Sequence, residues 1–309
     1  MALPGRRGRV LLLTTDAVVA GSHFPPGAPG RWVGRFAAQV NLSDLAAKGG
    51  RPSGFLCALQ VPPRSPARWS RGVVNGILEE GRRVGVPLLG GDTKASPTPT
   101  VTLLALGEGR RGQLMPRDGG HAGDLLVTTG TVGTGGARFV RWRASGNPRG
   151  PTLRRLLTVR PRLEEGQVLR RYARAAMDTS DGLLRSVRLL ARASRLSATV
   201  DLRKLPFSPE CLQAAEQRGV PVERIAFLGG DYELLVALPE SRWAAARAGV
   251  RDVDGELSVV GRLSNGNQDH LLTEHGLQPL PDVGWDSFSQ GPSPRAWRRG
   301  GPLGRASPR

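Results

Sequence analysis

At five places an apolar run gives way to small polar residues with an aspartate among them. They are Thr14-Thr15-Asp16, Asn41-Leu42-Ser43-Asp44, Gly90-Gly91-Asp92-Thr93, Asp178-Thr179-Ser180-Asp181-Gly182 and Gly229-Gly230-Asp231. The pattern calls for buried strands whose ends carry carboxylates next to hydroxyls or glycines. Such ends suit Mg²⁺ and phosphate chemistry, because Mg²⁺ takes hard oxygen ligands and shares them with a nucleotide's phosphates. The chain carries a net charge of +18, so acidic residues placed this regularly are more than solvation. They point to ATP-dependent phosphoryl transfer.

A length of 309 residues accommodates two domains, and an apolar share of 39% is enough to give each a core. Lysine stands only at 48, 94 and 204, so 41 of the 44 basic residues are arginine. That excess fits an anionic partner or a general drift in composition toward arginine. The arginines are spread along the chain without interleaved aromatics, so no specific nucleic-acid partner is expected. Cys57 and Cys211 form no paired spacing, and a reduced, cytoplasmic setting is the default. The apolar run at 10–13 is too short for a signal peptide, and no run reaches membrane-spanning length.

Periodicity predicts strands at 10–13, 55–61, 87–89 and 101–106 in the first part of the chain. Helices are expected at 36–48 and 65–83, the latter capped by Ser65 and stopped at Gly85. The Gly- and Arg-rich stretch 107–123 marks a domain boundary. Beyond it strands are expected at 125–129, 198–202, 232–238 and 257–263, with helices at 163–176, 182–195 and 241–248. The irregular alternation favours two α+β domains over one doubly wound sheet. The predicted division is 1–112, 113–288 and a disordered basic tail at 289–309.

Asp16 follows two threonines at a predicted strand end, where hydroxyls and a carboxylate orient a hydrated cation or simply close a turn. Asp44 falls within a helical stretch. Gly90 and Gly91 would let backbone N–H groups approach phosphates. Asp178 and Asp181 flank Ser180, and Asp181 is placed to cap the helix that Gly182 opens, leaving Asp178 without a capping role. No Gly-x-x-x-x-Gly-Lys-Ser/Thr loop, Gly-x-Ser-x-Gly elbow or His-Arg-Asp triplet is present, which argues against P-loop, α/β-hydrolase and protein-kinase chemistry.

In order and spacing, these segments resemble the thiamine-monophosphate kinase branch of the aminoimidazole ribonucleotide synthetase-like superfamily. The similarity extends over Gly21-Ser22-His23-Phe24, Arg117-Asp118-Gly119-Gly120, Gly229-Gly230-Asp231-Tyr232-Glu233 and Gly284-Trp285-Asp286-Ser287-Phe288, and covers roughly residues 10 to 288. The resemblance implies a two-domain α+β fold whose N-terminal sheet pairs with a second copy in a homodimer. It implies transfer of a phosphoryl group from ATP to thiamine monophosphate. Thr15, Asp16, Asp44, Asp92, Asp178 and Asp181 would hold several Mg²⁺ ions. Gly91, Asp92, Arg117 and Ser180 would contact ATP, and His23, Asp231 and Trp285 the acceptor. Asp16, Asp44, Asp92 and Asp178 would be the catalytic set.

The chain departs from the family pattern in three places. A strand carrying Gly-Asp-Asp normally precedes the region of Val10, and this chain begins too late to contain it, so one carboxylate and one strand are expected to be missing. A glutamate that normally separates Gly230 from Asp231 is absent, and Asp231 would replace it with a shorter reach. Ser287 stands where histidine is frequent. These departures keep two alternatives open: a superfamily member with another acceptor, and an inactive nucleotide-binding paralogue or fragment.

Overall fold

In a computed structural model, residues 2–5 and 8–285 are described. The first sheet is built from β1 (Ala2–Pro4), β2 (Arg9–Val19), β3 (Arg51–Val61), β4 (Leu88–Ala95) and β5 (Thr100–Arg110), in the order β1-β2-β5-β3-β4. α1 (Gly30–Ala47) and α2 (Ala67–Val84) pack on one face of it. Val10, Leu12 and Val18 point toward the helices, whereas Leu11 and Leu56 on the other face stay exposed. This two-residue alternation marks a sheet packed on one side only. Phe55, Leu103 and Ile77 are fully buried at the centre of the packed side. Truncating such a residue costs on the order of 2–5 kcal/mol.

β2 does not stop at Asp16. It runs on to Val19, because the equally long β5 pairs with it throughout, from Arg9↔Arg110 to Val19↔Thr100. The Gly90-Gly91-Asp92 segment is likewise no turn. It lies inside β4, paired with β3 through Gly91↔Cys57 and Asp92↔Ala58. A Cβ at Gly91 would stand 1.9 Å from the Cys57 carbonyl oxygen, so the glycine serves strand contact here. Ahead of Val10 a short strand, β1, edges the sheet and pairs Ala2↔Leu12 and Leu3↔Leu11; it carries no Gly-Asp-Asp.

The second sheet comprises β6 (Leu125–Thr129), β7 (Ala175–Asp178), β8 (Ser197–Asp201), β9 (Leu234–Leu238), β10 (Leu257–Ser264), β11 (His270–Thr273) and β12 (Gly276–Pro279). Its order is β12-β11-β8-β10-β6-β9-β7. β6 and β9 are buried at every position, β9 as an unbroken apolar run and β6 as an apolar run closed by Thr128 and Thr129. α6 (Leu183–Ala193), α7 (Pro209–Glu216) and α8 (Glu223–Ala226) contribute to the core on one face. α5 (Leu163–Leu169) and α9 (Trp243–Arg251) contribute to the core on the other. The expected helix at 163–176 is therefore two elements: α5, then β7 paired antiparallel with β9. Ala175-Ala176-Met177 is apolar under either period, and pairing with β9 decides between them. The helix after Asp181 is capped by Gly182, with φ of 99°, and by no side chain. At α2, Pro66 rather than Ser65 holds the N-cap, and Gly85 ends the helix in the left-handed conformation as expected.

α1 joins the two halves. Its first turns meet α2 at glycine contacts: a Cβ on Gly34 would lie 2.0 Å from the Val73 carbonyl oxygen. Its last turn, Ala46 and Ala47, is buried among Met115, Leu169 and Val236 of the second unit. The helix is thus covered on nearly all sides, and the polar residues Asn41, Ser43 and Asp44 are carried into the seam between the sheets. α3 (Thr134–Ser145) and α4 (Pro151–Leu156), which periodicity does not reveal, add Trp142 and Leu153 to the first core. The predicted tail at 289–309 lies outside the described residues.

Candidate active site

The seam collects carboxylates from three elements. Asp16 comes from β2, Asp44 from α1 and Asp178 from the end of β7. Ser43 Oγ donates to Asp178 Oδ2 at 2.8 Å, and Ser180 Oγ donates to Asp178 Oδ1 at 2.9 Å. The Thr14 hydroxyl donates to Asp44. Asp181, just past β7, is paired with Arg185 at 3.7 Å, and its carbonyl accepts the Trp285 backbone N–H at 2.9 Å.

Burying a carboxylate beside like charges raises its affinity for protons, and two members of the cluster show it. Burial first, then the charges of Asp44 and Asp178, pushes the Asp16 carboxyl up from 3.8 to about 7. Asp178 rises to about 6 through burial and Asp44, an effect tempered by the Ser43 and Ser180 hydroxyls. Beneath them the Tyr232 phenol, buried and facing the same carboxylates, is held well above its usual range. Its ring packs edge-on against Phe36, with centroids 6.2 Å apart.

Oxygen donors that repel one another in a buried site fit a divalent cation. Among the described residues, no three His, Cys, Asp or Glu side chains already stand together as a complete ligand set.

One cation at the site escapes the sequence reading. Lys48, just past α1, donates to the Ala176 carbonyl oxygen at 2.9 Å. Burial, then the neighbouring Arg117, brings its ammonium down from 10.5 to about 8, while Asp44, Asp178 and Asp118 pull it back up. The available signal was compositional: a lysine in a chain that otherwise uses arginine.

The predicted acceptor residues divide. His23 and Trp285 meet, with ring centroids 6.4 Å apart and planes at 47°. His23 Nδ1 accepts the Val19 N–H at 3.2 Å, and burial lowers the imidazole's affinity for a proton. Asp231 is used differently. Its two oxygens accept the Gly133 and Gly135 N–H groups at 2.9 and 2.8 Å, at the start of α3. Burial pushes it up to about 7, against the pull of those two bonds. The neighbouring Glu233 takes Thr129 Oγ1 at 2.6 Å and an Arg162 guanidinium, tying the same loop to β6.

Asp92 and Thr15 lie elsewhere. The register row Asp92–Ala58–Thr102–Ala17 puts Asp92 on the open face of the first sheet. Asp16, next to Ala17, points to the helix side. Three strand spacings, about 14 Å, separate the two strands. Asp92 is 62% exposed and pairs with Lys94 at 3.1 Å. Thr15 is exposed on the same open face. Gly91 stands beside Asp92 in β4, while Arg117 neighbours Lys48 at the seam.

The chain matches two family models: AIR synthase related protein, N-terminal domain, over residues 2–108, and its C-terminal domain over 121–273. A thiamine-monophosphate kinase of Caulobacter vibrioides is 37% identical over 274 residues, covering 85% of this chain and 76% of that protein. This chain belongs to the thiamine-monophosphate kinase family of AIR synthase related proteins. The Escherichia coli K12 enzyme is 31% identical over 83% of this chain and 79% of its own. Among solved structures, the AaThiL complex with AMPPCP and TMP superposes with a TM-score of 0.81 at 27% identity, covering 92% of this chain and 89% of that one. The Stenotrophomonas maltophilia kinase gives 0.77 at 31% identity, covering 87% of each chain. Both sheets and the two-domain α+β fold agree with those structures.

Proposed function

We propose that this protein transfers the γ-phosphoryl group of ATP to the phosphate of thiamine monophosphate, giving thiamine diphosphate. The observation that carries the reading is the convergence of Asp16, Asp44 and Asp178 at the seam. In a chain of this family, that cluster is where two polyanions would be brought together. The acceptor is already an anion, so no strong general base is required, and the work is alignment and charge compensation.

Asp16, Asp44, Asp178 and Asp181 would hold Mg²⁺, which supplies neutralisation of the facing phosphates when bound. Ser43 and Ser180 fix the Asp178 carboxylate, and Ser180 also faces the nucleotide. Lys48 and Arg117 add positive charge at the rim of the ATP site. His23 and Trp285 form an aromatic wall for the thiamine rings. Asp231 serves the acceptor by holding the Gly229-Gly230 turn, which packs against Asp181 and so against the anchor of Trp285.

Asp92, Gly91 and Thr15 would act through a homodimer. The open face of the first sheet exposes Leu11, Leu56 and Leu89, the last to 56%. A second copy laid on this face covers the leucines and brings one copy's β4 to the other's site. Two buried free thiols and the use of ATP fit a cytoplasmic location.

The test is product formation from ATP and thiamine monophosphate, with Mg²⁺ and with EDTA. Thiamine diphosphate formed only with Mg²⁺ is expected. ATP turnover on another acceptor, with none on thiamine monophosphate, would favour the second reading, which the missing glutamate before Asp231 motivates.

A further inference from the structure

A cavity of about 430 Å³ opens at the end of the first sheet remote from the carboxylates. It is lined by Arg9, Arg51, Arg110, Arg170 and Arg171, with Glu108 as the single carboxylate. None of these residues belongs to the seam cluster. Arg9 and Asp16 lie seven residues apart on β2, about 23 Å at the rise of an extended strand.

The charges here do not cancel. Glu108 is taken by Arg9 at 3.2 Å. Arg51, Arg110, Arg170 and Arg171 form no ion pair among the described residues. Gln167 pins two of them: its Oε1 accepts Arg51 Nε at 3.4 Å, and its carbonyl oxygen accepts Arg170 Nε at 3.2 Å. The same glutamine donates from Nε2 to the Gly49 and Gly50 carbonyl oxygens, at 2.9 and 2.7 Å. The stems are thus anchored while the terminal guanidinium nitrogens remain for a ligand. Burial, then the charges of Arg51, Arg171 and Arg110, lowers the affinity of Arg170 for its proton, the signature of like charges held together.

We propose that this cavity is a second anion site, which binds a chain of two or three phosphates. Guanidinium forks take phosphate oxygens in pairs, and four converging cations match a polyphosphate better than a lone phosphate. The volume suits a small ligand rather than a nucleic-acid strand. The lining joins strand ends of the first unit to the end of α5 in the second, so an occupant clamps the two units together. The source is either free inorganic polyphosphate or the triphosphate of a nucleotide.

The test is calorimetric titration of the full chain in EDTA at fixed ionic strength. The probes are inorganic triphosphate, ATP, orthophosphate and a short single-stranded oligonucleotide. The comparison protein is Arg110→Gln/Arg171→Gln, both positions being exposed. Triphosphate should bind the parent chain and lose about tenfold or more in affinity in the double variant, the order expected for two lost guanidinium–phosphate contacts. The unliganded melting temperature and the kinase turnover should not change. Equal affinity for triphosphate and ATP identifies free polyphosphate as the source; a clear preference for ATP, abolished in the variant, identifies a nucleotide. Equal triphosphate binding by both proteins, no binding by the parent chain, or binding of the oligonucleotide alone would overturn the proposal.

Discussion

Asp178 is buried and Asp231 half-buried, on neighbouring packed loops, and both hold their protons more tightly than an exposed aspartate. Their surroundings differ in kind. Asp231 faces two backbone N–H groups at the start of α3, and its oxygens are fully used inside one unit. Asp178 is held by two hydroxyls, Ser43 from the first unit and Ser180 from its own, and faces other carboxylates. The first arrangement closes a fold, while the second gathers carboxylates where two units meet, with Lys48 as the neighbouring cation. A buried charge that is not fully compensated is costly, and carboxylates with raised pKa values cluster at functional sites.

The contrast extends to Asp92, which is exposed and so belongs to neither class unless the proposed second copy covers it. The largest expected effect comes from crossing it with Asp178. Asp92→Asn and Asp178→Asn should each lower turnover by about a hundredfold or more, the scale of losing a charge-stabilising group. If Asp92 serves the partner's site, mixing the two inactive proteins after reversible dissociation restores up to about a quarter of parental activity, as symmetric pairing requires. No recovery on mixing would place Asp92 within its own chain's site and break the dimer reading.

Lys48 tests the same seam from the cationic side. Lys48→Met keeps the stem and removes the charge, and kcat/KM for ATP should fall about ten- to a hundredfold. A melting temperature that drops while kcat/KM holds would make Lys48 a structural tie to Ala176 only.

A smaller effect concerns pH. Asp231 has a folded pKa of about 7 against an ordinary 3.8, so the folded state binds this proton more tightly than the unfolded chain. Its contribution to stability is therefore full below pH about 4 and is lost as pH rises through about 7. Asp16 shifts in the same direction in metal-free protein. Thermal melts in EDTA should show stability falling across this window. Added Mg²⁺ should flatten the Asp16 share and leave that of Asp231. A melting temperature rising with pH in EDTA would contradict both assignments.

Much of this was legible in the sequence where the signal is local. β6 has the expected bounds, and the aspartates at 16, 44 and 178 do converge. His23 and Trp285 meet although nearly the whole chain separates them. What was not legible depends on pairing. Whether Gly90-Gly91-Asp92 is a turn or a strand, and which face Asp92 takes, is fixed by register with Cys57 and Ala58. Ala175-Ala176-Met177 becomes strand only because β9 is there to receive it. Asp231 reads from the sequence as a substrate residue, and nothing in its spacing reveals that the N-terminus of α3, a helix without an apolar period, donates to both its oxygens. Lys48 gains its role from burial against Ala176, which no spacing reveals.

The most direct test sets Asp178→Asn beside Asp231→Asn and measures thiamine diphosphate formation and unfolding free energy for each. Asp178→Asn should abolish turnover and leave stability within about 1 kcal/mol or raise it, since a repelling charge is removed. Asp231→Asn should cost about 1–3 kcal/mol, because an amide can accept only one of the two N–H bonds, and should retain most turnover. The reverse pattern, with Asp178→Asn destabilised yet active and Asp231→Asn stable yet dead, would contradict the placement of the active site at the seam.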